Sequence, residues 1–92
     1  MDKITRYFKR PWDDTTGAPL TDDWGTSVFY FETNLTGEVL RQLEVFANGK
    51  RIKYTTDYLE DEYGGLSEVP LDLVEFKGYE IAKDEFEEAW LQ

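Results

Sequence analysis

Ninety-two residues give one domain, 1–92, with no room for a second core. The chain has neither cysteine nor histidine, which removes a disulfide frame, a thiolate nucleophile, the commonest general base and the commonest metal ligand. Its net charge of −10 falls entirely in residues 56–92, where twelve acids face only Lys77 and Lys83; residues 1–55 balance eight acids with eight bases. A field of one sign on part of a small domain repels nucleic acid and anionic lipid and draws in cationic partners. The start MDKITRYFKR lacks the apolar stretch of a secretory leader, and the longest apolar run, residues 28–31, is too short to span a bilayer, so a cytoplasmic protein without membrane contact is expected.

Along the chain, Ile4, Arg6 and Phe8 alternate with Thr5, Tyr7 and Lys9, the two-residue period of a strand ending at Pro11. Residues 11–25 hold two Pro, two Gly and four Asp and read as a loop, pinned by Trp12 and Trp24. Residues 26–33 form a second strand with Phe29 and Phe31 on one face and Val28 and Tyr30 on the other, so both faces are expected to be covered. Gly37 turns the chain within 34–38. Residues 39–47 form a third strand, with Val39, Arg41, Leu43 and Val45 on one side and Leu40, Gln42, Glu44 and Phe46 on the other. Asn48-Gly49 suits the two positive-φ positions of a type I′ hairpin turn, and residues 51–55 return as a fourth strand pointing Ile52 and Tyr54 to one face.

Residues 56–80 are interrupted by Gly64-Gly65 and Pro70; they read as loop with a short turn of helix or a short strand, burying Leu71, Leu73 and Phe76. Residues 82–91 carry a helical period that places Phe86, Ala89 and Trp90 on one face and Asp84 and Glu88 opposite. Asp84 and Glu85 favour the positive helix start, but Glu87 and Glu88 oppose the dipole and Asp84 repels Glu88 four residues on. Packing through Phe86 and Trp90 must therefore hold this helix.

The segment Asp57-Tyr58-Leu59-Glu60-Asp61-Glu62-Tyr63-Gly64-Gly65 fails the calcium-loop pattern, because Leu59 stands at its third position and the glycine comes late. Two readings remain for it: a partner surface formed by Asp57, Tyr58, Glu60, Asp61, Glu62 and Tyr63, joined by Asp84 and Glu88, or a solvated loop whose tyrosines fold back on the sheet. Lys3, Arg6, Lys9 and Arg10 interleave with Tyr7, Phe8 and Trp12 like a nucleic-acid patch. A strand would split them between faces, Arg6 and Arg10 against Lys3 and Lys9, and pairing with the acidic C-terminal part is the expectation. Glu32, Arg41 and Glu44 lie on neighbouring strands, where charges pair across the pleat.

Arg6-Tyr7-Phe8-Lys9-Arg10-Pro11-Trp12, Trp24-Gly25, Tyr30-Phe31-Glu32, Arg41-Gln42-Leu43-Glu44-Val45, Asn48-Gly49, Glu60-Asp61-Glu62-Tyr63-Gly64-Gly65-Leu66 and Glu85-Phe86 with Trp90 are spread along nearly the whole chain. In these stretches the sequence resembles a family of small, acidic, uncharacterised bacterial proteins, similar in size and charge to immunity proteins of toxin systems. Ala82 departs from it, standing where a Ser or Thr helix cap is usual. The resemblance implies a stand-alone domain and brings no catalytic residue with it.

These readings combine into an α+β domain: an antiparallel sheet of about four strands with a C-terminal helix packed on one face. The expected function is non-catalytic and without cofactor, the binding and inhibition of a basic protein partner such as a nuclease toxin domain, by a monomer or homodimer. A small carboxylate-based enzyme and a structural homo-oligomer are the competing readings. A pocket holding a carboxylate with a raised pKa favours the enzyme; a flat acidic patch ringed by exposed aromatics favours the inhibitor.

Overall fold

The computed structural model describes residues 5–13 and 20–92; the sequence expectations for Lys3, Ile4 and residues 14–19 lie outside them. Strands β1 (Arg6–Trp12), β2 (Ser27–Thr33), β3 (Val39–Phe46) and β4 (Arg51–Thr55) follow one another as antiparallel neighbours. Strands β5 (Glu60–Asp61) and β6 (Gly64–Gly65) form a separate hairpin, and β7 (Glu80–Ile81) leads into helix α1 (Lys83–Leu91). The main sheet has five strands in the order β4-β3-β2-β1-β7, one more than the sequence indicated. The extra member pairs only Ile81 with Tyr7 and Glu80 with Phe8, a ladder too short to show a period.

β1 runs through Pro11 instead of stopping there, pairing it with Val28. β7 reaches no further than Phe8, so Pro11 has an open edge on that side, where its missing N–H breaks no ladder bond. In β3 the register shifts: Glu32 faces Arg41 but Thr33 faces Val39, leaving Leu40 as an extra residue. The bulge turns Val39 to the face opposite Arg41 and Leu43, and it packs with Phe8, Phe31 and Phe76. The strict alternation expected through 39–45 therefore fails at its first residue.

The two hairpins of the main sheet share one turn. In the second, Gly49 N–H donates to Phe46 O at 2.9 Å and Phe46 N–H to Lys50 O at 2.9 Å; in the first, Gly37 N–H donates to Asn34 O and Asn34 N–H to Glu38 O, both at 3.1 Å. Gly37 and Gly49 have φ near +90°, whereas no described non-glycine residue has a positive φ. These are three-residue loops, a type I turn followed by a left-handed glycine. Asn48 is thus not in the left-handed region, and the type I′ turn expected from Asn-Gly does not form; its Oδ1 instead accepts from Lys50 N–H at 2.9 Å.

Each face of the sheet has its own cover. α1 lies over the face bearing Tyr7, Arg41 and Leu43, with Phe86 fully buried against Tyr7 (ring centroids 5.2 Å) and Trp90 stacked on Phe86 at 5.9 Å. Truncating such a buried aromatic costs about 3–5 kcal/mol. The helix begins after Ala82, whose side chain makes no cap. The opposite face, bearing Phe8, Phe29, Phe31 and Phe46, is covered by residues 57–79 and by the 3-10 turn Asp22–Trp24. A second 3-10 turn, Glu75–Tyr79, inserts Phe76 edge-on against Phe8 and Phe31, both at 5.9 Å. Buried Gln42 fastens the covering chain: its Nε2 donates to Gly65 O and its Oε1 accepts from Ser67 N–H.

The two turn glycines make a controlled comparison. A Cβ on Gly49 meets nothing within 4 Å, whereas one on Gly37 lies 2.5 Å from Leu71 O, and Leu71 N–H donates to Gly37 O. Gly49→Ala is expected to cost about 1 kcal/mol, the penalty of left-handed backbone. Gly37→Ala is expected to cost at least twice that, because the covering chain must also retreat. Urea denaturation midpoints of the two variants check this; equal losses would mean that Leu71 is not held against the turn.

Candidate functional site

The bases of the first strands are spent on the acids of the last quarter of the chain. Arg6 forks onto Glu80 (3.0 and 2.8 Å), Arg10 pairs with Glu75 at 3.0 Å, and Lys9 with Glu85 at 3.6 Å. Arg41 forks onto Glu32 (2.8 and 3.0 Å), bonds Glu87, and lies over the rings of Phe86 and Trp90 at 4.8 and 5.0 Å. Arg51 and Lys53 donate to the carbonyls of Ala89 and Trp90, supplying from the sheet the cations that the last turn of α1 lacks. The pairing expected between the basic strand and the acidic C-terminal part is present, and Arg10 and Lys9 fall on opposite faces as the strand period requires.

Five acids cluster between Asp57 and Glu68. Among the described residues no base forms an ion pair with Asp57, Glu60, Asp61, Glu62 or Glu68. Tyr58 is 52% and Leu59 59% exposed. Tyr58 is nevertheless held: it stacks on Tyr54 at 6.1 Å with 10° between the rings, and its hydroxyl donates to Asp61 at 3.1 Å. Tyr63 leans on Trp24 at 5.2 Å. Beside them a groove of about 420 Å³ runs between Leu59, Leu66 and the carboxylates of Glu60 and Glu68. This patch combines both readings of the sequence: the tyrosines fold back along one side and remain half exposed along the other.

Asp61 differs from its neighbours. Its carboxylate accepts from Tyr54 Oη at 2.7 Å, from Tyr58 Oη and from Tyr63 N–H. Desolvation alone would raise its pKa; the bonds from Tyr54, Tyr63 and Tyr58 outweigh it and hold the group below its ordinary value. Asp61 thus anchors the hairpin by satisfying the hydroxyl of buried Tyr54. Asp84 and Glu88 sit exposed on α1, on the other side of the sheet, and do not join this patch.

Glu32, Arg41 and Glu44 separate in the same way. Glu32 and Arg41 pair under α1, whereas Glu44 points to the opposite face, into a pocket of about 440 Å³. Trp12, Phe29, Phe31, Phe46, Tyr63 and Phe76 wall this pocket. Its polar groups are Arg10, already bonded to Glu75, Thr21, and Glu44, whose Oε2 accepts from Ser27 Oγ at 2.7 Å. Burial raises the Glu44 pKa, and the Ser27 bond only partly offsets it. The pocket was not legible in the sequence, since Trp12, Glu44 and Phe76 are more than thirty residues apart in turn; an isolated Glu amid inward-facing aromatics was its one signal.

Among the described residues no helix is long and apolar enough to cross a membrane. Comparison with known protein families finds no match, and neither the curated proteins nor the solved structures include a detectably similar chain.

The two buried-side glutamates should respond oppositely to acid. Burial pushes the Glu32 carboxyl up, but bonds from Arg41 and Tyr7 and the charges of Arg41 and Lys83 prevail and lower it. Its contribution is complete above the ordinary value of 4.5 and is lost as pH falls through the lower folded-state value. Glu44 is raised, so its ionisation costs stability at neutral pH and protonation on acidification relieves that cost. At pH 7, Glu32→Gln is expected to lose about 1–2 kcal/mol and Glu44→Gln to gain slightly, both differences shrinking toward pH 3. Thermal midpoints measured between pH 3 and pH 7 check the two signs.

Proposed function

We propose that the protein is a cytoplasmic, non-catalytic binding domain whose acidic hairpin docks a basic protein partner, in the manner of an immunity protein covering the cationic cleft of a nuclease toxin. One observation carries this reading. Arg6, Lys9, Arg10 and Arg41 are taken up by Glu32, Glu75, Glu80, Glu85 and Glu87, whereas Asp57, Glu60, Asp61, Glu62 and Glu68 form a cluster of carboxylates without an ion pair among the described residues, next to the exposed Tyr58 and Leu59. Carboxylates supply long-range steering, which speeds encounter. Tyr58 and Leu59 supply desolvated contact area, which slows release. The groove between Glu60 and Glu68 is shaped for a lysine or arginine side chain, its apolar walls taking the stem and its carboxylates the head.

The competing enzyme reading draws on Glu44 in its pocket. Acid–base catalysis by carboxylates works with two groups of divergent pKa, and among the described residues one lines the pocket; Glu32, the other acid of the pleat, lies under α1 in the grip of Arg41. The pocket's chemistry suits binding.

Asp61 cannot serve as a neutral probe of the surface, since reversing its charge would strip the acceptor from Tyr54 and Tyr58. The test is the double variant Glu60→Lys with Glu62→Lys, measured by stopped-flow association with the product of the adjacent gene. The on-rate is expected to fall at least tenfold at low salt, and wild-type association to slow as salt shortens the screening length to about 10 Å at 0.1 M. The thermal midpoint should stay within a degree or two, because exposed charges contribute little to stability. Tyr58→Ala should mainly raise the off-rate. Association that ignores both salt and the double reversal would sink the acidic-surface model.

A further inference from the structure

The aromatic pocket around Glu44 stands apart from the hairpin's charges and rests on a different observation. A carboxylate has been carried to the sheet face and walled by six rings: Trp12, Phe29, Phe31, Phe46, Tyr63 and Phe76. Among the described residues no base forms an ion pair with it. The one base at the wall, Arg10, gives its charge to Glu75 and its guanidinium face to Phe76 and Tyr79, at 4.9 and 5.3 Å from the ring centroids. One oxygen of Glu44 accepts from Ser27; among the described residues no donor reaches the other. Half-buried Glu44 has given up part of its hydration with no counter-charge among the described residues, which is costly and favours a cation beside it.

Rings and carboxylate ask for the same ligand. The faces of Trp, Tyr and Phe attract cations through their quadrupoles, most strongly where water is excluded. A carboxylate in that setting offers a charge-assisted bond to an N–H donor. The volume, about 440 Å³, is at the small end for organic ligands and exceeds what a bare metal ion or water would fill. An anion would meet Glu44, and a neutral hydrocarbon would leave it unpaired.

We propose that this pocket is a binding site for a small organic cation, an ammonium group carried on an aromatic body. The ammonium sits against the free oxygen of Glu44, and the body stacks among Trp12, Phe29 and Phe76. Trp12, 44% exposed at the mouth, closes over the ligand and reports its arrival.

The probe is 2-phenylethylammonium, titrated into the full chain at pH 7 and followed by tryptophan fluorescence and calorimetry, with 2-phenylethanol as the neutral partner of like shape. Saturable binding of the amine is expected, at least tenfold tighter than the alcohol, since a hydrogen bond to a buried charge is worth about that factor. Glu44→Gln, which keeps the shape and the Ser27 bond, should remove this preference while remaining folded by thermal denaturation. Trp12→Ala should weaken the amine and the alcohol alike. Equal affinities for amine and alcohol, an amine preference that survives Glu44→Gln, or no saturable binding of the amine would each overturn the proposal. None of these outcomes touches the docking of a basic protein at Glu60 and Glu62, so the two readings fail separately.

Discussion

A guanidinium lies between helix and sheet, engaged both along one edge and across its face. Arg41 presents one edge to Glu32 as a two-pronged fork and reaches Glu87 with the same terminal nitrogen, while its flat face rests on Phe86 and Trp90. Only a planar group with fixed donors can do this; a lysine in its place would bring a point charge and could not fork onto Glu32. α1 depends on it. Nine residues are too few for an independent helix in water, and this one has no cap, a repelling Asp84–Glu88 pair and no base in its last turn. The sheet holds the helix from outside despite these defects: Phe86 is buried on Tyr7, Arg41 bonds Glu87, and Arg51 and Lys53 supply the closing carbonyls with the cations that the last turn lacks.

The distribution of charge follows from the same arrangement. The neutral first part of the sequence and the acidic last part are brought together strand against helix, so that bases of the one meet acids of the other. Glu85 and Glu87 of α1 thereby meet bases of the sheet, while Asp84 and Glu88 stay unpaired on the outer side of the helix. On the opposite side of the sheet the hairpin of β5 and β6 carries a second group of unpaired acids. The acidic C-terminal half of the sequence is therefore not an acidic half of the molecule. Asp84 and Glu88 belong by sequence to the acidic run, yet they lie across the sheet from Glu60 and Glu62.

The elements that bury a periodic face were legible beforehand. The two-residue alternation of β2 and β4 and the helical spacing of Phe86 and Trp90 were visible because burial imposes those periods directly. The strand β7 and the hairpin of β5 and β6 have two residues per strand, too few for any period. The bulge at Leu40 was hidden because Val39 and Leu40 are both apolar, so either could face inward. The turn at Asn48-Gly49 was placed correctly and typed wrongly. One left-handed glycine serves a three-residue loop as well as an Asn-Gly pair serves a two-residue one, and the dipeptide does not reveal the loop length. Of the expected surface residues, Tyr58, Glu60 and Glu62 could be placed from composition. The structural duty of Asp61 could not, since it depends on Tyr54 standing across a turn.

The two acidic features that result are different in kind. Glu60 and Glu62 remain in water, where an unpaired carboxylate costs the fold almost nothing and acts at a distance that salt can shorten. Glu44 has surrendered part of its hydration without gaining a cation, so its charge is expensive to keep and acts only on what enters the pocket. The first arrangement favours fast encounter with many basic surfaces and discriminates weakly among them. The second selects by the fit of a charge and a ring in one open-mouthed pocket. Tyr63 belongs to both, since it lies in the turn between β5 and β6 and walls the pocket. The bond from its N–H to Asp61 fixes that shared wall. The tyrosine–aspartate network therefore sets the position of the acidic hairpin and the shape of the aromatic pocket through the same few contacts.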